Sequence, residues 1–241
     1  VRLSGSRLHL AVLCSYSFRE DVDVPERESG AAAKLGSEAH SFVESAMSSK
    51  AGGPWSEDAI RIGGQAVAWL QDVDVPTSLE LAIVYDAATD TARRVEAKGH
   101  REYGDLKPSE IPTTLDLLWD YPDEDCVEVR DLKTGKREHA HMEQLEIQAL
   151  AAARLLGRSK ARVGFLFARK TKCDADPLVE LDAAALDAIA WKVASVVTGI
   201  PTSTPLTGQH CWLCPLGRAL CPAHQQPTEQ ERTENACFTE Q

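Results

Sequence analysis

The sequence predicts an α/β fold, a mixed central β-sheet flanked by helices, with a small cysteine-cluster subdomain at its C-terminal end. Three observations predict it. Short β-rich runs recur at 79–85 (LELAIVY), 111–119, 126–132 and 161–168 (ARVGFLFA). Helical patterns at 31–47, 59–70, 141–156 and 183–197 stand around and between them, and this interleaving is what layers helices onto a sheet. Finally, Cys211, Cys214 and Cys221 crowd into one C-x2-C-x6-C stretch.

Residues 3 to 14 carry Leu, His and Val at helical spacing and predict a short helix ending near Cys14. Residues 20 to 30 are charged, contain a Pro and read as a loop. Ala31 to Met47 predicts a helix with an apolar stripe of Leu35, Ala39, Phe42, Val43 and Ala46, and His40 lies on it. A Gly/Pro break at 48–55 precedes a second helix, Ala59 to Leu70. Leu79 to Tyr85 reads as a strand, with 92–97 as a weaker partner and 98–110 as a polar loop. Ile111 to Trp119 and Cys126 to Leu132 are strands joined by an acidic turn. His141 to Leu156 is an Ala/Leu/Glu-rich helix carrying Gln144, with Gly157 as its stop. Ala161 to Ala168 is a buried strand, Leu178 to Asp182 a short edge strand, and Ala183 to Val197 a final amphipathic helix. Residues 226–241 are polar and predict a mobile tail beyond a single domain spanning 1–225.

A chain of 241 residues, 43% hydrophobic and 26% charged, can bury one sizeable core. No apolar run near the ~20 residues of a membrane span is read, and no secretory-signal pattern. Seven cysteines in this arrangement do not make the disulfide framework of a small secreted domain, and they predict a reducing, cytoplasmic setting. The net charge of −11 argues against a protein that coats nucleic acid indiscriminately. From Arg130 to Lys172, however, eleven Lys or Arg face four Asp or Glu. This stretch reads either as a solvated stripe or as a positive groove wall.

The chemistry concentrates at two strand ends. Asp116 follows the apolar run Ile111 to Leu115, and Asp131 follows Val127 to Arg130. Two carboxylates on adjacent strands can hold a hard divalent cation through oxygen. Lys133 stands two residues beyond Asp131 and so projects to the same face, placing an ammonium beside the cation. Paired acids and a lysine are the apparatus of metal-assisted phosphodiester hydrolysis.

These residues and others in order resemble the PD-(D/E)XK nuclease superfamily, and within it the RecB-like and Cas4-like branch. Ser4-Gly5-Ser6-Arg7-Leu8 and Cys14-Ser15-Tyr16-Ser17-Phe18-Arg19 look like that branch's N-terminal cysteine motif. Gly36-Ser37-Glu38-Ala39-His40, running on to Glu44, looks like its helical histidine motif. Thr113-Thr114-Leu115-Asp116 matches the metal-binding aspartate motif, and Asp131-Leu132-Lys133-Thr134-Gly135-Lys136 the D-x-K-T-G-K core. Gln144-Leu145 opens the glutamine motif, and Cys211, Cys214 and Cys221 match the C-terminal cluster. The matches span about residues 3 to 224. Three positions depart from the pattern: Thr113 replaces Gly, Leu132 an aromatic residue, and Gln148 a Tyr that would face DNA.

The resemblance implies a restriction-endonuclease-like core and a role for each residue. Asp116, Asp131, His40 and the Leu132 backbone carbonyl would ligate Mg2+ or Mn2+, and a histidine ligand favours manganese. Lys133 would stabilise charge on the phosphate, and Gln144 would orient Lys133 or a phosphate. Glu44 supports His40, while Glu80, where the family often has an acid, is set aside. For the cysteines two readings stand. Cys14, Cys211, Cys214 and Cys221 could hold a 4Fe-4S cluster, clasping the N-terminal helix to the C-terminal end. Alternatively, His224 could replace Cys14 and complete a zinc site. Cys126, Cys173 and Cys237 read as ordinary thiols.

The implied function is a metal-dependent DNA nuclease acting on single-stranded DNA or DNA ends. The branch works in CRISPR adaptation, recombination, repair and phage DNA metabolism. No P-loop motif is present, so a helicase or recombination partner would supply any unwinding. A rival from another class is a non-cleaving DNA-binding or assembly subunit on the same fold.

Overall fold

In the computed structural model, residues 2–25, 30–48, 52–96, 103–135, 140–216 and 220–225 are described. The expectations on Lys136, Cys237 and the tail at 226–241 lie outside them. The strands are β1 (Ser78–Asp86), β2 (Thr91–Arg94), β3 (Glu110–Tyr121), β4 (Cys126–Lys133), β5 (Lys160–Ala168), β6 (Cys173–Ala175) and β7 (Val179–Leu181). The helices are α1 (Leu8–Leu13), α2 (Ala31–Ser48), α3 (Glu57–Gln71), α4 (Met142–Leu156), α5 (Ala183–Gly199) and the short α6 (Pro222–Gln225).

The seven strands form one sheet in the order β2-β1-β3-β4-β5-β6, with β7 also paired to β5. Every pairing is antiparallel except β4 with β5. A parallel pair needs a crossover, and α4 supplies it. Mixed α/β architecture is therefore what the structure has.

Alternation along the strands sorts residues to two faces. Val127 and Val129 of β4 join Leu115, Leu145, Ile147 and Leu150 in the core beneath α4, which α1 and α5 flank. Leu132, Leu117, Trp119 and Leu166 face the other way and pack against α2 and α3. Asp131, between Arg130 and Leu132, thus points toward α4 and away from α2.

Local chemistry explains the helix ends. Ser56 caps α3 by accepting from the Ala59 N–H at 3.3 Å, and Asp182 caps α5 by accepting from Ala185 N–H at 2.8 Å. Gly157 ends α4 in the left-handed region at φ 66°. At Gly63 a Cβ would lie 2.6 Å from Phe42 Cδ1 and 3.1 Å from the Ala39 carbonyl. Only a bare backbone lets α3 come this close to α2.

Three expectations need amendment. β6 was not foreseen, because a three-residue edge strand shows no period, and its pairing with Leu166–Ala168 creates it. Second, Ala183–Thr202 is long and apolar enough to cross a membrane by length and composition, which the sequence reading missed. Its Leu186, Ile189 and Val193 are buried, and Lys192 and Asp187 bond to Glu146 and Arg154 of α4. Third, most of the described cations of the basic stretch are taken up in pairs. Arg130, Arg154, Arg158, Arg162, Lys170 and Lys172 pair with acids, and Arg169 donates to the Thr134 carbonyl.

Candidate active site

β1, β3 and β4 bring three carboxylates to one place. Register pairs Leu79 with Leu117 and Leu81 with Leu115, so Glu80 and Asp116 fall opposite each other. The pairing of β3 with β4 stops at Leu117 and Arg130. Beyond that point Asp116 Oδ2 takes the place of a ladder carbonyl and accepts the Leu132 N–H at 2.7 Å. Asp116 lies within β3 rather than at its end, since β3 continues to Tyr121.

Across this gap lies α2. Gly36 sits where a Cβ would come 3.1 Å from Thr134 Oγ1, so the helix approaches the end of β4 closely. One turn on, His40 Nδ1 donates to Glu80 Oε1 at 3.0 Å, and Nε2 donates to the Leu132 carbonyl at 2.9 Å. Asp116 Oδ1 is 3.5 Å from Nδ1. Ligand atoms of His40, Glu80 and Asp116 lie within 4.8 Å of one another. Burial pulls the imidazole's pKa down, but the charge and hydrogen bond of Asp116, with Glu80, override it and raise it well above its ordinary value.

Glu80 is a residue that sequence reasoning set aside. It is the most distorted point of β1, with φ 46°, a left-handed conformation rare for a non-glycine residue. That twist aims its carboxylate at His40. The signal available was an acid opening an otherwise apolar run.

Asp131 is 2% exposed. Gln144 Nε2 donates to its Oδ1, and Gln148 Nε2 reaches the same oxygen at 3.3 Å. Lys133 Nζ is 2.7 Å from Oδ2 and donates to Gln144 Oε1 at 2.8 Å. The ammonium is thus the charge partner of Oδ2. Burial, then the charge of Asp116, raises the pKa of Asp131, partly offset by Lys133. Gln148, at 1% exposed, faces inward and donates to the Thr114 carbonyl at 2.8 Å.

The imidazole of His40 and the carboxylates of Glu80 and Asp116 make a donor set that fits a hard cation, and Asp131 and the Leu132 carbonyl stand on the neighbouring strand. The expected residues His40, Asp116, Asp131, Lys133 and Gln144 thus gather at one site. Glu44, one turn beyond His40, lines a neighbouring groove that His40 and Glu80 also border.

At the opposite end of α1, Cys14, Cys211, Cys214 and Cys221 line one small cavity together with His210 and His224. The Gly208 N–H donates to Cys211 Sγ at 3.3 Å. Cys126 and Cys173 lie elsewhere, on β4 and β6.

Comparison with known proteins places this geometry. No curated protein matches the chain. A solved structure titled "Crystal structure of SSO0001" is 15% identical at a TM-score of 0.30, covering 61% of this chain and 60% of that one. The chain spans about 60% of that protein's length. The family description "PD-(D/E)XK nuclease superfamily" matches residues 2–222, nearly the whole described chain. A sheet with one parallel pair, bearing Asp116, Asp131 and Lys133 on adjacent strands, accords with that match: this chain belongs to the PD-(D/E)XK nuclease superfamily.

Proposed function

We propose that this chain is a Mg2+- or Mn2+-dependent deoxyribonuclease of the RecB-like and Cas4-like kind, cutting single-stranded DNA or DNA ends. One observation carries the reading: His40, Glu80 and Asp116 bring ligand atoms within 4.8 Å of one another, and on the next strand Asp131 pairs with Lys133. His40, Glu80, Asp116, Asp131 and the Leu132 carbonyl would hold the cation. When bound, it neutralises phosphate charge and acidifies a coordinated water. Lys133, steered by Gln144, places its ammonium where negative charge grows on the phosphate. Asp131 keeps that ammonium from swinging away.

Cys14, Cys211, Cys214 and Cys221 would hold a 4Fe-4S cluster, and the reading is supported by the four thiols lining one cavity. His224 lines it too, so a Cys3His zinc site is the alternative that metal analysis separates. Thiolate ligation suits a reducing cytoplasm. A helicase or a CRISPR-adaptation or recombination protein is the class of partner proposed.

The test is cleavage of end-labelled single-stranded and duplex DNA with manganese or magnesium, beside Lys133→Ala. We expect cleavage by the wild type and a loss of at least a hundredfold in the variant, the scale of one lost charge-stabilising donor. Full activity in Lys133→Ala would remove the lysine from the mechanism. No cleavage by well-folded, metal-loaded wild type would favour a DNA-binding subunit.

A further inference from the structure

The first turn of α4 delivers Gln144 to the site, yet the burial that anchors this helix starts only after that turn. Its buried residues begin at Leu145 and continue through Ile147 and Leu150 to Ala153. Met142 is exposed, and Glu143 and Gln144 are half-buried. At the N-cap, the His141 side chain makes no capping hydrogen bond. What meets this end of the helix is a ring. The imidazole of His9 lies on that of His141 with centroids 3.7 Å apart and an interplanar angle of 7°. His9 is itself well seated, because Leu8 and Leu10 on either side of it are buried in the core. The turn before it rests on β3 and α4 at once. A Cβ on Gly5 would lie 2.5 Å from Thr113 Oγ1 and 3.2 Å from Ile147 Cγ2, so no side chain can intervene there.

A chain of contacts runs from this stack to the site. The Gln144 N–H donates to the His141 carbonyl at 3.0 Å. The Gln144 side chain accepts from Lys133 Nζ at 2.8 Å and donates to Asp131 Oδ1. A flat ring stacked on the N-cap residue restrains the one turn that the core leaves loose. We propose that His9 and His141 are positioning residues for cleavage: their stack clamps the first turn of α4 and so holds Gln144, and through it the Lys133 ammonium, against the scissile phosphate. The proposal rests on the nuclease reading, and the pair acts through Gln144 rather than on the substrate.

The experiment uses the full chain and compares wild type, His9→Ala and His9→Phe, the last of which keeps a flat ring at position 9. Hydrogen exchange at single amides is followed by NMR, beside cleavage kinetics on end-labelled single-stranded DNA with manganese. In His9→Ala the Gln144 amide should exchange about tenfold faster, while Leu150 in the middle of the same helix keeps its protection. Its kcat should fall about tenfold or more with KM within about twofold of wild type, because misplacing a reacting group by about 1 Å can cost on the order of a hundredfold. His9→Phe should restore both. Wild-type exchange at Gln144 in His9→Ala overturns the proposal. So does a fall in kcat that comes with equally faster exchange at Leu150, or one that His9→Phe does not restore. Failure of the nuclease reading looks different: wild type cuts nothing, while the exchange pattern still shows Gln144 clamped by the ring. Wild type that cuts, with His9→Ala equal to it in kcat, removes the positioning role alone.

Discussion

Glu80 shows how a single residue can be shaped for a site at a cost to the fold. A left-handed backbone costs a non-glycine residue roughly 1–2 kcal/mol. At φ 46° inside a strand, Glu80 bears that cost. Its partner His40 contributes in the other sense, because its imidazolium is held between Glu80 and Asp116. Replacing Glu80 by Ala removes the carboxylate and keeps the strain; replacing it by Gly removes both. Both variants should lose cation affinity, measured by calorimetric titration with Mn2+. Glu80→Gly should nevertheless melt about 2–4 °C higher than Glu80→Ala, the shift expected for about 1 kcal/mol in a chain of this size. Equal melting temperatures would show that the backbone at 80 is unstrained.

Among the elements, α4 does the most for the site. It closes the β4–β5 crossover, and Gln144 and Gln148, one turn apart, meet Asp131 from its one face. Its entry is fixed by a ring stack: His141, at the N-cap, lies on His9 of α1 at 3.7 Å with an interplanar angle of 7°. His9 Nδ1 is buried without a hydrogen-bond partner. Burial, then the neighbouring His141, lowers the pKa of His9 to about 4. The unfolded chain binds this proton near the ordinary value of about 6.5. Stability is therefore lost as pH falls from that value toward about 4, and is unaffected above it. The loss should be on the order of 2 kcal/mol, since water screens a partly exposed ring. His9→Phe should keep the stack and flatten this acid limb in denaturant melts between pH 6.5 and 4. An unchanged limb would place the titration elsewhere.

At the scale of the whole molecule, the N-terminal segment meets two distant stretches of sequence. The N-terminal segment lays Arg2–Arg7 along the active-site groove, and a few residues later it brings Cys14 to Cys211, Cys214 and Cys221. A cluster bridging these thiols would close a loop of nearly the full chain, and closing so long a loop restricts the unfolded state strongly. Cys14→Ser should therefore bleach visible iron–sulfur absorption and lower the melting temperature, whereas Cys126→Ser should leave the absorption intact. If Cys14→Ser keeps its metal and His224→Ala releases zinc, the cavity is a zinc site.

Much of this was legible in the sequence, and for local reasons. Strands and helices were read from periods of two and 3.6 residues, and Asp116, Asp131, Lys133 and Gln144 from motifs whose spacing lies within or beside single elements. β6 escaped notice because three residues show no period. What only the tertiary structure decided was set by contacts between segments far apart in the chain. The register of β1 on β3 carries Glu80 to Asp116, and the approach of α2 at Gly36 carries His40 to the Leu132 carbonyl. Ion pairing takes up most of the basic stretch, and the close seat of Gly5 on Thr113 brings the N-terminal segment to the rim of the site. A sequence states which charges a chain owns; only packing determines which of them neutralise one another and which are left facing a ligand.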